Sequence, residues 1–154
     1  MENNQTSLIT VLYIDDELSN LQAFGAVFRR EFNILTAPSA GEGLEILETN
    51  EVHVILCDQR MPEVTGVQFF ETVLHRFPKP IRILITGFAD INVVIDAINK
   101  GEVYKYLTKP WNADDIRNFI IKAYEVYALR EENEKMLQQI KANKEVLRSY
   151  GIDI

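Results

Sequence analysis

Five polar residues in this sequence have the types and the order that phosphoryl chemistry needs: Asp15, Asp16, Asp58, Thr86 and Lys109. Each stands at or just after the end of a short apolar run. If these runs are parallel strands of one sheet, their carboxyl ends meet at one edge, where α/β proteins bind their ligands. The sequence therefore predicts an acidic cluster that also contains one hydroxyl group and one lysine.

Three carboxylates held close together repel one another, and a hard divalent cation with oxygen ligands relieves that repulsion. We therefore expect magnesium, or manganese, in the cluster. An oxygen of Asp58 could then attack the phosphorus of a donor and form an acyl phosphate. Lys109 would pair with one phosphoryl oxygen and the Thr86 hydroxyl would hydrogen-bond another. In this way, charge added at Asp58 would pull on the strand that carries Thr86.

The elements that must position these residues alternate along the chain. Five apolar runs of strand length are separated by segments of helical periodicity, a pattern typical of βα units around a parallel sheet. We predict an α/β fold with a doubly wound sheet of five parallel strands. The predicted strands are 11–14, 32–36, 52–57, 81–85 and 104–107.

Local signals place helices between these strands. Ser39, three residues before Glu42, has the pattern of a capping box, Asp90 and Asn112 can cap later helices, and Gly101 stands where a helix should end. Apolar residues at helical spacing predict the faces that pack on the sheet. These residues are Leu18, Leu21, Phe24, Val27, Phe28, Leu44, Leu47, Phe69, Val73, Leu74, Val94, Ile95 and Ile98.

The last helical pattern is longer than a small sheet requires, because it runs from about Asp114 to Gly151 without proline or glycine. Seven of its residues follow the alternating three-four spacing of a coiled-coil seam. They are Val126, Leu129, Asn133, Met136, Ile140, Asn143 and Leu147. The pattern favours a dimerising stalk, and the alternative is a single, charged, solvated helix. The two asparagines either fix the register of a coiled coil or indicate a poor seam.

These patterns divide the chain into one domain and an appendage. We expect a polar tail at 1–9, the domain at 10–124, a helical extension at 125–150 and a short tail at 151–154. With 154 residues, the chain is too short for two ordinary globular domains.

Composition excludes several functions. The net charge of -7 and the lack of a Lys/Arg-rich run argue against direct binding of nucleic acid. No apolar stretch has the length of a membrane span and the start is polar, so we expect no membrane association and a cytoplasmic location. The single cysteine, Cys57, fits a reducing compartment and a place in the core.

Three other side chains have ordinary interpretations. His53 and His75 have no partners at metal or relay spacing, so we expect both to be polar surface residues. Trp111 is either an exposed aromatic for a partner or part of the packing at the start of the last helix.

Four segments carry a resemblance to a known family: TVLYIDDE, ILCDQRMPEVTG, ILITG and YLTKPW. In order and spacing they resemble the signature segments of the response-regulator receiver (CheY-like) family of two-component signalling, over roughly residues 10–124. The resemblance implies the flavodoxin-like (βα)5 fold. It also implies a phosphorelay function, in which a sensor histidine kinase or a phosphotransfer protein supplies the phosphoryl group.

The resemblance assigns roles around the acidic cluster. It makes Asp58 the phosphoacceptor, with magnesium bound directly by Asp16, by Asp58 and by the backbone carbonyl of Arg60, and through water by Asp15. Arg60 and Phe88 occupy positions that in this family modulate the lifetime of the phosphoryl group.

The resemblance also assigns a switch. Thr86 is the switch hydroxyl, Lys109 pairs with the phosphoryl group, and Tyr106 is the aromatic residue whose rotamer follows Thr86. Pro110 is the residue that this family places after a cis peptide bond, and Gly87 is the small residue that leaves the site open.

Rival functions can be weighed on the same residues. A phosphohydrolase of the haloacid dehalogenase type also uses an aspartyl nucleophile, but it needs a second aspartate two residues later as general acid, and Arg60 stands there. Neither glycine-rich nucleotide-binding motif is present. We therefore expect no enzyme. An inert domain that serves as a coiled-coil adaptor is the remaining alternative.

The output of such a signal is not visible in the sequence. The segments TGFAD and AINKGEVYKYLTKPW resemble the corresponding segments of receivers that a charged helix joins to cyclic-dinucleotide enzymes or sensor modules. We therefore expect an N-terminal piece of a longer protein, in which phosphorylation changes the pairing or angle of the stalk.

Overall fold

The computed structural model describes residues 8–154, and residues 1–7 of the expected polar tail lie outside the described part. The strands are β1 (Thr10–Ile14), β2 (Asn33–Ala37), β3 (Val54–Asp58), β4 (Ile81–Thr86) and β5 (Lys105–Thr108). The helices are α1 (Leu18–Phe28), α2 (Ala40–Thr49), α3 (Gly66–Arg76), α4 (Ile91–Asn99) and α5 (Ala113–Ser149), with a short 3-10 turn at Phe88–Asp90 before α4.

The five strands form one parallel sheet in the order β2-β1-β3-β4-β5. The prediction of a doubly wound α/β fold with five parallel strands is confirmed, and each predicted strand overlaps an observed one. Strand β1 lies between β2 and β3, so the connection after β1 runs to one side of it and the connection after β3 runs to the other side. The crevice at their carboxyl ends is the usual ligand site of such sheets.

Helices cover both faces of the sheet. Every residue of β1, β3 and β4 is buried, which explains why these strands are nearly continuous apolar runs. Tyr13 of β1 faces a core layer that includes Phe24 of α1 and Ile120 of α5. Ile14, the next residue of β1, faces the opposite layer, which includes Phe69 of α3.

Three residues assigned to buried helix faces are exposed, so that part of the prediction is wrong. Leu18, Val27 and Ile95 are 65%, 42% and 44% exposed. Val27 and Ile95 each adjoin a buried residue in sequence and therefore lie about 100° away from it around the helix. Leu18 opens α1, and the buried stripe of that helix begins a turn later.

The helix boundaries follow the predicted signals in most cases. The Ser39 hydroxyl accepts a hydrogen bond from the Glu42 N–H, which is one of the two bonds of the predicted capping box. The Asn112 side chain accepts bonds from the first turn of α5. Gly101 has a φ of 76°, the left-handed conformation that glycine adopts after a helix. Asp90 precedes α4 but makes no side-chain cap, so this prediction is wrong.

Helix α5 confirms the prediction of an extended C-terminal helix. It contains 37 residues and is about 55 Å long at 1.5 Å per residue. Its first part packs on the sheet through Ile116, Ile120, Ala123 and Tyr127. The later part is exposed, including the apolar side chains of Leu129, Met136, Leu137, Ile140, Val146 and Leu147. Among the described residues, no helix has both the length and the apolar character that a membrane span needs.

Two aromatic or thiol side chains are explained by packing. Trp111 lies 6.1 Å, between ring centroids, from both Phe24 and Phe28, which supports its packing interpretation. Cys57 is fully buried, and burial raises the pKa of its thiol, as a core cysteine should show.

His53 is not a surface residue, so that prediction is wrong. Its Nδ1 atom accepts a hydrogen bond of 2.9 Å from the Thr10 N–H, and its ring contacts Tyr124 and Tyr127 at 5.1 and 4.8 Å. Burial lowers the pKa of His53, against the opposing effect of Glu51. His53 therefore connects β1 to Tyr124 and Tyr127 of α5.

Candidate functional site

The three aspartates meet at the carboxyl ends of β1 and β3. Asp58 is the last residue of β3, and Asp15 and Asp16 directly follow β1. Oxygen atoms of the three carboxylates lie within 4.8 Å of one another. Asp15 and Asp58 are buried, whereas Asp16 is exposed. The structure thus brings together the acidic cluster that the sequence predicts, with one side open to solvent.

Lys109 contacts this cluster directly. Its Nζ atom lies 2.7 Å from Oδ1 of Asp58. Its backbone N–H donates to the carbonyl of Thr86, which ties the segment after β5 to the end of β4. The peptide bond between Lys109 and Pro110 is cis, as the resemblance implies.

Burial and pairing act in opposite directions on these two groups. Burial raises the pKa of Asp58, and this effect outweighs the stabilising contact with Lys109. Burial also works to lower the pKa of Lys109, but the hydrogen bond and charge of Asp58 outweigh it and the net direction is upward. The lysine therefore stays a cation beside a carboxylate that a second cation would stabilise further.

Asp15 is held by three donors from its own neighbourhood. The Tyr13 hydroxyl donates to Oδ2 at 2.8 Å, and Nδ2 of Asn20 donates to the same oxygen at 3.0 Å. The backbone N–H of Glu17 donates to Oδ1 at 2.9 Å. Burial first, then the hydrogen bond to Asp15, raises the pKa of Tyr13, so its hydroxyl remains a donor.

Sequence reasoning missed Tyr13 and Asn20, although one signal was present. Residues i and i+2 of a strand point to the same side, which places Tyr13 on the side of Asp15. Asn20 lies in the first turn of α1, within hydrogen-bond distance of Asp15. Its contact depends on how α1 packs, which periodicity alone does not specify.

Thr86 and Tyr106 lie on the strands next to Asp58. Thr86 ends β4, is buried, and donates its hydroxyl hydrogen bond to the carbonyl of Gly87 at 3.2 Å. A side chain at Gly87 would meet no atom within 4 Å, so this position borders open space. Tyr106 is half-buried in β5 and packs against the core layer formed with α2, α3 and α4.

Arg60 forms an ion pair across the mouth of the site. Its Nε atom lies 2.9 Å from Oδ2 of Asp90, which joins the loop after β3 to the turn before α4. Asp90 directs this oxygen to Arg60 and makes no side-chain cap on α4. The side chain of Phe88 lies outside the described part of the structure.

The loop after Asp58 is anchored by a close approach at Gly66. A Cβ atom on Gly66 would lie 2.6 Å from the backbone oxygen of Asp58 and 2.7 Å from a methyl group of Leu84. A capping box between Thr65 and Gln68 fixes the start of α3 at the same place. The sequence reasoning overlooked this box, although its Thr-x-x-Gln pattern is visible in the sequence.

The donor set fits a hard divalent cation. All side-chain ligands in the cluster are carboxylate oxygens, the donors that Mg²⁺ and Mn²⁺ prefer. Three carboxylates beside one lysine carry excess negative charge, which a divalent cation would neutralise. The exposed side at Asp16 gives an ion with retained waters a route into the cluster.

The chain is similar to known proteins over most of its length. Residues 11–121 match the family model described as "Response regulator receiver domain". The chain is 37% identical over 139 residues to the hydrogenase transcriptional regulatory protein HoxA of Cupriavidus necator, covering 90% of this chain and 29% of that protein. The HoxA protein of Bradyrhizobium diazoefficiens is 36% identical over 133 residues, covering 86% of this chain and 27% of that protein. The chain thus spans less than a third of the length of these two relatives.

A solved structure gives the same picture of the fold. The response regulator receiver domain protein from Clostridium thermocellum is 31% identical and superposes with a TM-score of 0.75. The superposition covers 79% of this chain and 98% of that chain.

Proposed function

The chain belongs to the response-regulator receiver family of two-component signalling, and we propose that Asp58 is its phosphoacceptor and that Asp15 and Asp16 help to hold the divalent cation. The observation that carries this proposal is the contact of Lys109 with Asp58 inside the three-carboxylate cluster. A buried carboxylate with one cation beside it and a second cation site next to it is arranged to accept a doubly charged group.

The chemistry follows from these positions. Asp16, Asp58 and the backbone carbonyl of Arg60 would hold Mg²⁺ or Mn²⁺, with Asp15 acting through water. The bound ion supplies charge neutralisation for the incoming phosphoryl group. A carboxylate oxygen of Asp58 forms the new bond to phosphorus as the bond to the donor breaks. Lys109 then pairs with a phosphoryl oxygen instead of with the free carboxylate.

The signal would leave the site through β4 and β5. The Thr86 hydroxyl, now bonded to Gly87, would turn to a phosphoryl oxygen, and Tyr106 would move into the space that becomes available. Support comes from the position of Thr86 at the end of β4, where Asp58 pairs with Ile85 in register. The backbone hydrogen bond from Lys109 to Thr86 links the end of β4 to the segment after β5, so a movement of β4 would also shift that segment.

The phosphoryl donor is proposed to be a sensor histidine kinase or a phosphotransfer protein. We propose no turnover of a small substrate, because the side chain two residues after Asp58 is a guanidinium engaged with Asp90 rather than a general acid. The net charge of -7 disfavours direct contact of this chain with nucleic acid. The buried free thiol of Cys57 fits the reducing cytoplasm, which is the location that we propose.

We propose that residues 10–124 form the receiver domain and that residues 125–150 form a two-stranded coiled coil with a second copy of the chain. The seam starts at Val126, which is half-buried against the domain core, and as a whole it is centred about 140° around α5 from the residues that pack on the sheet. Two domains can therefore lie outside a central pair of helices. In a parallel pair, exposed Glu125 and Arg130 of opposite chains fall at the flanking positions that form interhelical ion pairs, and Asn133 faces its own copy.

The phosphoacceptor site can be tested with beryllium fluoride, which mimics an aspartyl phosphate. In the presence of Mg²⁺ it should change the fluorescence of Trp111, which lies two residues after Lys109. Chelation of the metal or the Asp58→Asn substitution should abolish the change. An undiminished response of Asp58→Asn would contradict the proposal.

A further inference from the structure

We propose that Tyr13 and Asn20 are positioning residues of the metal site, because they fix the carboxylate of Asp15 so that one oxygen of it faces the ion. This inference rests on the proposed function, since it concerns the cation beside Asp58. It adds two residues outside the acidic set to the machinery of the site.

The hydrogen bonds of Asp15 leave it little freedom. A carboxylate offers about four lone-pair positions, two on each oxygen. Tyr13 and Asn20 occupy Oδ2, and the backbone N–H of Glu17 occupies one position on Oδ1. The remaining capacity lies on Oδ1, so Asp15 presents one contact to the cluster and has no free oxygen pair for bidentate binding. A single remaining contact suits a ligand that acts through a water of the ion.

The Tyr13 hydroxyl is a rigid donor. Tyr13 is 1% exposed, and its ring lies 4.3 Å, between centroids, from the ring of Phe24. Phe24 in turn packs against Phe28 and Trp111. The hydroxyl therefore occupies a position set by the aromatic core between the sheet and α1. Rotation of Asp15 would break this bond in a buried place where water cannot easily replace it.

Asn20 adds a second support from a different element. Its Nδ2 atom contacts Oδ2 of Asp15 at 3.0 Å and also lies 3.4 Å from Oε2 of Glu17. Tyr13 belongs to β1 and Asn20 to α1, so the orientation of Asp15 depends on how these two elements pack. Residues that support a metal ligand in this way typically change metal affinity by about 10- to 100-fold when they are removed.

The test is a titration of the full chain with Mn²⁺, in which the electron paramagnetic resonance signal of the free ion reports binding. We expect Tyr13→Phe and Asn20→Ala each to raise the Kd for Mn²⁺ by about tenfold. Tyr127→Phe is the matched control, because it removes a hydroxyl group from a buried tyrosine that contacts Glu51, far from the cluster. Its Kd should equal that of the wild type.

A second comparison shows whether the effect acts through Asp15. In an Asp15→Ala background, Tyr13→Phe should cause no further loss of Mn²⁺ affinity, whereas a merely structural hydroxyl would weaken binding equally in both backgrounds. Wild-type affinity in Tyr13→Phe and Asn20→Ala, or an equal loss without Asp15, would overturn the positioning role while leaving the phosphoacceptor intact. Absence of Mn²⁺ binding by the wild type would instead overturn the metal site itself, and the positioning role with it.

Discussion

The ammonium group of Lys109 lies 2.7 Å from Oδ1 of Asp58, and the two side chains are 39% and 6% exposed. The lysine thus occupies an oxygen of the carboxylate that we propose to be phosphorylated. It also sits where it competes with a metal ion for the same negative charge. The pair has two separable effects, one on the metal and one on the phosphoryl group.

Replacement of Lys109 should separate these effects. Lys109→Met removes a competing cation, so we expect Mg²⁺ to bind more tightly, by about 1 kcal/mol or roughly fivefold. The response to beryllium fluoride should be lost, because no cation remains to pair with the mimic. Calorimetric titration of Mg²⁺ and Trp111 fluorescence measure the two effects. Lys79→Met is the control, because it breaks only an ion pair with Glu131 of α5, and it should change neither Mg²⁺ affinity nor the beryllium fluoride response. Weaker Mg²⁺ binding by Lys109→Met would contradict the competition.

Gly66 should be intolerant of a side chain. We expect Gly66→Ala to lower the free energy of unfolding by roughly 2 kcal/mol, because its Cβ would overlap the Asp58 backbone oxygen and Leu84. Gly25→Ala is the matched control in α1, where a Cβ meets nothing within 4 Å. It should stabilise the protein by about 0.5–1 kcal/mol, since alanine favours a helix. Urea denaturation measures both values, and a neutral Gly66→Ala would show that the loop can shift freely.

His53 should make stability depend on pH. Burial holds its folded-state pKa below the ordinary value of 6.5, so below that value the unfolded chain binds the proton more readily. The stabilisation by neutral His53 is fully present above about pH 6.5. It is lost as the pH falls from there toward the lower folded-state pKa, by at most about 1.4 kcal/mol per pH unit. Protonation of Nδ1 would also break the bond from Thr10.

The check compares urea denaturation at about pH 7.5 and about pH 5.5. The wild type should lose more stability over this interval than His53→Gln does. His75→Gln, which changes an exposed histidine, should lose as much as the wild type. An equal loss in wild type and His53→Gln would contradict the role of His53.

The coiled coil predicts a dimer that a single charge can disrupt. Ile140→Glu places a carboxylate in the proposed seam, so we expect the Kd of the dimer to rise at least about tenfold. Gln138→Glu adds the same charge two residues away, on the outer face, and should leave association unchanged. Analytical ultracentrifugation of the full chain measures the difference. A wild type that is monomeric at about 100 μM would contradict the stalk.

Much of the fold was predictable because the signals are strong and local. Continuous apolar runs in β1, β3 and β4 predicted buried strands, and the polar residues after them predicted the acidic cluster. The positions of Asp15, Asp16 and Asp58 follow from the topology alone. The width of the buried face of each helix does not follow from the topology, so the helical spacing wrongly predicts that Leu18, Val27 and Ile95 are buried.

The supporting contacts could not be predicted because they depend on tertiary packing. Arg82 stands inside a predicted strand as an unexplained charge, yet its guanidinium donates to the carbonyls of Pro78, Pro80, Gly101 and Glu102. Pro78 and Pro80 are close to Arg82 in sequence, but Gly101 and Glu102 lie 19 and 20 residues after it and reach it only after β4 and β5 have paired. The contact of Asn20 with Asp15 and the bond from Thr10 to His53 likewise depend on how separate elements pack.

The central claim is that Asp58 forms the acyl phosphate. The most direct measurement is the intact mass of the full chain after incubation with Mg²⁺ and a small phosphodonor, followed by peptide mapping. We predict one phosphoryl group on the wild type, none after chelation of the metal, none on Asp58→Asn, and one on Asp96→Asn, which changes an exposed aspartate of α4. A phosphoryl group that persists on Asp58→Asn at the wild-type level would contradict the account.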